Sequence, residues 1–268
     1  MTLPPLADLI GTHDLLLLTL DTLRFDAARD AMAAGETPHL AALLPDGWQE
    51  RHAPASFTYA SHKAFFAGFL PTPARPGRHD RLFAFAFPGS ETTGDGTLLL
   101  PGNDLAQGLA ELGYRTVCTG GVGFFNPATP LGADLTGDFQ EAYWEAGFGV
   151  TAIDGFERQI DHLAALGDDG RPRFTLVNVA SLHQPNCHYL AAGTEDSLAS
   201  HRAALRYIDK HLPALLEVLA KDRPLVVIVC SDHGTAYGED GYTGHRIGHE
   251  IVWTVPYAEA LLPQGWQS

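Results

Sequence analysis

Two short segments of this sequence each set a carboxylate directly after a run of apolar residues. The first is LLLLTLDTLRFD, in which residues 15–20 lead into Asp21. The second is LVVIVCSDHG, in which residues 225–230 lead into Ser231, Asp232 and His233, with Gly234 next. Apolar runs of this length read as strands buried on both faces, so each carboxylate falls at the carboxyl end of a central strand, where open α/β sheets bind their ligands. Adjacent Asp and His supply a hard oxygen and an imidazole from one strand end, a donor pair suited to Zn²⁺ or Mn²⁺. Gly234 lets the backbone turn tightly beside such an ion or its substrate. His245 and His249 follow a few residues later. Each segment also has a plainer reading, with Asp21 capping a helix that begins near Leu23 and Asp232 capping an ordinary strand-to-helix turn. The repetition of Asp at two separate strand ends favours the metal reading. Asp26 reads as a solvated helix residue.

The elements that must hold these residues follow from periodicity. Short apolar runs alternate with longer helical patterns, which implies the α/β class: a three-layer sandwich with helices on both faces of a mostly parallel sheet. Strands are expected at 15–20, 82–85, 115–119, 174–179 and 225–230, each apolar enough to be buried on both sides. Helices are expected over 38–44, 59–67, 103–112, 154–165 and 197–221. The last carries Leu205, Ile208, Leu212, Leu215 and Leu219 on one stripe, with Pro213 expected to kink or divide it. The stretches 68–81 and 87–102 read as surface loops, and 120–150 is poorly periodic. No repeat or composition shift marks a boundary, so one domain over 1–268 is expected.

Composition narrows the function classes. The net charge of −15, from 17 Lys and Arg against 32 Asp and Glu, argues against nucleic-acid or membrane partners, which such a surface repels at long range. An anionic substrate then needs a local positive charge, and a bound metal ion is the economical source. Cys118, Cys187 and Cys230 are odd in number and widely spaced, without a CxxC pair, so a disulfide framework is not indicated and a reducing compartment fits. The first residues lack a basic stretch, and 15–20 is too short for a signal sequence or a membrane span. The expected location is the cytoplasm.

The segments LTLDTLRFD, TPHLAAL, FTYASHKAFFAGFLP, DLAQGLAELGYRTVCTGG, ALRYIDKHLPALLEVL and CSDHGTAYGEDGYTGH occur in that order. Together they resemble the sulfatase-like members of the alkaline-phosphatase superfamily, over about residues 14 to 257. The resemblance implies an alkaline-phosphatase-like core, without the extra C-terminal subdomain that many sulfatases carry. It places Thr58, a few residues ahead of Ser61-His62 and a Gly-x-x-Pro ending, where sulfatases have a modified cysteine. Thr58 is therefore the implied nucleophile, and an unmodified threonine resembles the phosphate-transferring branch. A threonine hydroxyl is a poor nucleophile until a metal coordinates it, so the implied ligand set for one cation is Asp21, Thr58, Asp232 and His233. Thr58 also reads as the N-cap of the helix over 59–67, and at a helix N-terminus both roles are compatible. Ser56 and Ser61 rank lower as competing hydroxyls.

His183 and His245 resemble family histidines that bind a second metal or the substrate's non-bridging oxygens, and they complete the catalytic candidates. His62, His188 and His249 rank below them, and Lys63 and Arg24 read equally as charge donors or as a solvated helical face. Sulfatases commonly carry paired acidic residues after the first strand, whereas Leu20 and Thr22 flank Asp21, which favours Zn²⁺ or Mn²⁺ over Ca²⁺. A second metal has no carboxylate to be nominated for it. The expected function is metal-dependent hydrolysis of a small anionic phosphate or phosphonate ester through a phospho-threonine. Group transfer to an acceptor, sulfate-ester hydrolysis and a silent ligand-binding role are the alternatives. A homo-oligomer is one means of completing an open pocket.

Overall fold

Strands that are apolar on both faces need cover on both faces, and the tertiary structure supplies it. The computed structural model describes residues 3–68, 81–83, 97–99, 104–191 and 193–268. Its strands are β1 (Asp14–Leu20), β2 (Gln49–His52), β3 (Arg81–Phe83), β4 (Thr97–Leu99), β5 (Arg115–Gly120), β6 (Glu141–Tyr143), β7 (Arg173–Val179), β8 (Leu225–Cys230), β9 (Ala236–Tyr237), β10 (Thr243–Gly244) and β11 (Thr254–Leu262). Its helices are α1 (Leu6–Leu9), α2 (Phe25–Ala33), α3 (Pro38–Leu43), α4 (Thr58–Ala67), α5 (Leu105–Glu111), α6 (Pro130–Thr136), α7 (Gly155–Ala165), α8 (Leu198–Leu219) and α9 (Glu250–Trp253). The main sheet has seven strands in the order β2-β11-β8-β1-β7-β5-β6. Pairing from β8 across to β6 is parallel, and β11 runs antiparallel to both its neighbours.

Side-chain alternation along β1 divides the core in two. Leu16, Leu18 and Leu20 join the cluster built with α2, α3, α7 and α8, while Leu15 and Leu17 join the opposite cluster built with α4, α5 and α6. The result is the three-layer α/β/α architecture. Among the described residues no helix is long and apolar enough to cross a membrane.

Several features differ from the sequence reading. The strand expected at 82–85 is seen as β3 over Arg81–Phe83, and it pairs with β4 in a separate two-stranded sheet rather than entering the main one. Residues 84 and 85, and most of the expected loops 68–81 and 87–102, lie outside the described residues. Pro213 does not divide α8, which is continuous and opens with a reciprocal Ser197/Ser200 capping box. A proline inside a helix costs about 3 kcal/mol. Leu212, Leu215 and Leu216 are buried on both sides of it, at roughly 1.5–3 kcal/mol each, and outweigh that loss. Nothing in the sequence pattern points to β2 or β11, because β2 is wholly polar and exposed and β11 carries Pro256 and Glu259.

One buried residue of α8 makes stability depend on pH. The His201 ring lies within 3.0 Å of the Tyr237 hydroxyl through Nδ1, and its Nε2 accepts from the Arg24 amide at 3.5 Å. Burial, with the nearby Arg24 charge, pushes its pKa down to about 3. An unfolded histidine titrates near 6.5, so below that pH the unfolded chain takes up a proton that the folded one refuses. Stability therefore falls on acidification from about pH 6.5 toward pH 3, by up to about 1.4 kcal/mol per pH unit from this group. His201→Gln is expected to show a shallower fall in unfolding free energy between about pH 6.5 and about pH 4.5. An unchanged slope would remove His201 from the linkage.

Candidate metal centre

Three neighbouring strands, β8, β1 and β7, deliver polar residues from a common sheet edge. Asp21 follows β1 directly and Asp232 lies two residues past β8, while Asn178 sits on β7 opposite Thr19. The Asp21 amide donates to the Val179 carbonyl at 3.1 Å, which carries the ladder one step beyond the strand. Thr22 takes a positive φ of 66° and directs its amide at Asp232 Oδ1, at 3.3 Å. A left-handed threonine costs on the order of 1–3 kcal/mol, so the surrounding packing holds this turn open against its own preference. The Asp232 backbone is fixed by Ser61, whose hydroxyl donates to its carbonyl at 2.7 Å. Thr58 is the first residue of α4 and Phe57 is its N-cap, so Thr58 does not cap the helix and its hydroxyl faces the carboxylates. Asp21 likewise caps nothing, since α2 begins at Phe25 behind Arg24.

Asp21, Asp232 and His233 are fully buried, and one donor atom from each lies within 4.8 Å of the others. The Thr58 hydroxyl is 3.2 Å from Asp21 Oδ2 and 3.4 Å from His233 Nε2. The Gly234 carbonyl lies 2.9 Å from His233 Nδ1 and can only accept, so Nδ1 carries the proton and Nε2 presents its lone pair. Among the described residues, Asp21 Oδ1 and Asp232 Oδ2 find no hydrogen-bond partner. Burial, with Asp21 beside it, pushes the Asp232 carboxyl well above its ordinary range. Burial acts on Asp21 in the same direction, but His233, His183 and the Asn178 amide outweigh it and hold that carboxyl low. Two orphaned carboxylate oxygens, an imidazole lone pair and a hydroxyl thus converge in a buried site. Such a donor set fits a divalent cation. Among the described residues it is the one cluster of three with this geometry.

The remaining candidates divide by position. His245 packs on His233 with ring centroids 4.6 Å apart, and His183 packs on His245 at 5.1 Å. His183 Nδ1 donates to the Gln184 carbonyl at 2.6 Å, which leaves its Nε2 available. Both histidines and Thr58 line a cavity of about 550 Å³. His62 is buried beneath the site with Nδ1 donating to the Thr58 carbonyl at 2.9 Å, and His249 caps α9 and meets Asp240. His188 lies apart, against Tyr189. Lys63 pairs with Asp134 at 2.8 Å. Arg24 is buried and binds Asp26 and Glu239, so Asp26, a partly exposed residue in the first turn of α2, is also an ion-pair partner. The need for glycine at 234 comes from the α9 backbone, because a Cβ there would meet the Ile251 carbonyl oxygen at 2.2 Å.

Two polar residues of the site escape the sequence reading. Arg246 lines the cavity and holds a positive φ of 69°, with its amide donating to the Ser56 carbonyl at 2.9 Å. Asn178 is buried inside an apolar strand. Its Nδ2 donates to Asp21 Oδ2 at 3.1 Å, while its Oδ1 accepts from the Gly121 and Val122 amides at 3.2 Å each. The only available signal is a lone Asn in the run FTLVNVA. Asn178→Leu strands two buried amides and is expected to cost about 1–3 kcal/mol. Urea unfolding of the metal-free protein measures this, and a change below about 0.5 kcal/mol, within the scatter of surface substitutions, would contradict it.

Comparison with known proteins extends the picture. No curated protein matches the chain in sequence. Among solved structures, the soluble domain of lipooligosaccharide phosphoethanolamine transferase A from Neisseria meningitidis is similar at 15% identity. The match has a TM-score of 0.63 and covers 94% of this chain and 77% of that one. The C-terminal periplasmic domain of EcEptC from Escherichia coli, in complex with Zn, is similar at 13% identity and a TM-score of 0.60, with 96% and 74% covered. A protein in the alkaline phosphatase superfamily from Vibrio parahaemolyticus is similar at 19% identity and a TM-score of 0.55, with 96% and 61% covered. At these identities the likeness is one of fold. The sulfatase family model matches residues 13–259, nearly the whole main sheet and every donor of the cluster, and the chain thus belongs to the sulfatase family.

Proposed function

We propose that the protein is a metal-dependent hydrolase of phosphate or phosphonate esters that works through a phospho-threonine on Thr58. The observation that carries this reading is the Thr58 hydroxyl, 3.2 Å from Asp21 Oδ2 and 3.4 Å from His233 Nε2, at the mouth of a buried donor cluster. Asp21, Asp232, His233 and Thr58 would hold the cation, and their oxygen and imidazole donors suit Zn²⁺ or Mn²⁺. When bound, such an ion lowers the pKa of a coordinated hydroxyl and offsets negative charge on the substrate.

The chain's own residues then divide the work. Thr58 Oγ1 gives up its proton toward Asp21 Oδ2 and forms a bond to phosphorus, while the P–O bond to the ester oxygen breaks with its electron pair and that oxygen takes a proton from solvent. Water then bonds to phosphorus, the Oγ1–P bond breaks, and Oγ1 regains a proton. The amino end of α4 adds partial positive charge beside the reacting oxygens. Burial, reinforced by His233 and His183, pushes the His245 pKa down to about 4, so His245 serves as a neutral ring donating N–H to a non-bridging oxygen. Arg246 contributes the full positive charge on the cavity wall.

Transfer of the phosphoryl-bearing group to an acceptor other than water is the second reading, favoured by the likeness to a phosphoethanolamine transferase. Sulfate-ester hydrolysis ranks lower, because position 58 holds an unmodified threonine. Three free cysteines support a cytoplasmic setting. The test is to load the protein with Zn²⁺ or Mn²⁺ and offer aryl phosphate monoesters and diesters, an aryl phosphonate ester and an aryl sulfate. Metal-dependent phenol release from the phosphorus esters supports the proposal, and turnover of the sulfate alone overturns it. If added ethanolamine or glycerol is converted to a phospho-product at the expense of free phosphate, the transferase reading takes its place.

A further inference from the structure

We infer that the site takes a phosphorus ester whose phosphorus carries an apolar alkyl or aryl group, seated against Val122, Phe124, Leu131 and Val150. This rests on the reading of Thr58 as the nucleophile. The cavity of about 550 Å³ is lined by Thr58, His183, His245 and Arg246 and by the four apolar side chains, together with Gly123, Thr129 and Pro130. Arg246 is the one cation among the described residues that line it. Beyond the four polar residues the described lining offers one side-chain hydroxyl, that of Thr129, which is already bonded to Gly132 and Asn126, so a sugar or polyol finds few partners there while an alkyl or aryl group loses nothing on leaving water.

The Phe124 ring packs against Phe57 at 6.4 Å and Tyr59 at 6.0 Å, the two residues that flank Thr58. Thr58 and Phe124 line the same cavity, so a substituent on the phosphorus held at Thr58 extends into the space that Phe124 borders. Asn178 fixes the relation between the two halves of the site, holding Asp21 with its amide nitrogen and the Gly121 and Val122 amides with its oxygen. At the rim, Leu131 on α6 is 50% exposed, an apolar side chain left without cover beside the opening.

The test uses a homologous series, methyl-, propyl- and hexylphosphonate, with dissociation constants measured by calorimetry on the metal-loaded protein. Burial of a methylene is worth up to about a fourfold gain in affinity, so hexylphosphonate is expected to bind at least about tenfold more tightly than methylphosphonate. The hexyl-to-methyl ratio should shrink by at least about threefold in Phe124→Ala and, independently, in the surface variant Leu131→Asn. Turnover of p-nitrophenyl methyl phosphate by wild type and Thr58→Ala separates this inference from the one beneath it. Flat affinities along the series with Thr58-dependent turnover would overturn the apolar subsite and leave the nucleophile in place. Failure to bind any phosphonate, with no Thr58-dependent turnover, would remove both.

Discussion

Replacing Thr58 with alanine is expected to lower turnover of an aryl phosphate diester by on the order of 10⁴-fold or more, the scale seen when a covalent nucleophile is deleted. The residual rate reflects binding and charge stabilisation alone. The variant keeps Asp21, Asp232 and His233, so metal remains bound, though more weakly, and the fold is intact because no hydrogen bond of α4 depends on the hydroxyl. Thr58→Ser retains an Oγ at the same N-terminal position of α4 and should retain a large part of the rate. Acid quenching during turnover, followed by intact-mass measurement, should reveal one added phosphoryl group on wild type and on Thr58→Ser but none on Thr58→Ala. Full activity in Thr58→Ala would exclude the covalent route.

Asp232→Asn is expected to weaken metal binding by at least about 100-fold and to abolish activity with it, since a ligand is lost where even its supporting residues matter by roughly 10- to 100-fold. Metal analysis after dialysis measures the first effect. Thermal unfolding measures a second one. At a metal concentration about 100 times the dissociation constant, wild type gains about 2.7 kcal/mol, and the variant should show no comparable shift. The metal-free proteins should differ in the opposite sense. Burial and the neighbouring Asp21 raise the Asp232 carboxyl in the folded state, so between the ordinary carboxylate range near about pH 4 and that raised value the folded protein holds a proton the unfolded chain has lost. The contribution of Asp232 to the stability of the metal-free wild type therefore falls as pH rises toward neutrality, opposite in sign to that of His201. The amide side chain of the Asp232→Asn variant cannot ionise, and that protein should lose this part of the slope. Metal affinity of wild type should rise over the same range, because the cation displaces that proton. An Asp232→Asn protein that keeps its metal and its activity would end the assignment.

The parallel core and the place of its chemistry are legible in local composition. A strand buried on both faces is mostly apolar, so β8 is visible as an uninterrupted run and β1, β5 and β7 as runs broken by a few polar residues, and the Asp residues that follow β1 and β8 stand out by contrast. The helices α3, α4, α5, α7 and α8 show through their stripes, to within about two residues at each end. Elements whose stability comes from neighbours leave no such trace. The polar strand β2 exists because β11 offers it an edge, and β11 exists because β8 does.

The same division runs through the site. Asp21, Thr58, His183, Asp232, His233 and His245 are marked by strand ends and by a family pattern, and the fold brings all six to one place. Which histidines face the cavity and which are engaged elsewhere is decided by tertiary contacts. His62 and His249 are consumed by backbone partners, while His183 and His245 keep a ring edge on the cavity. Asn178, Arg246 and the Phe124 wall matter through what stands opposite them, across sequence separations from 56 to 157 residues in the case of Asn178. Local composition reports a residue's own preference for water or for the core. The pairing of a buried amide with a carboxylate on another strand is a property of the assembled sheet, and only folding creates it.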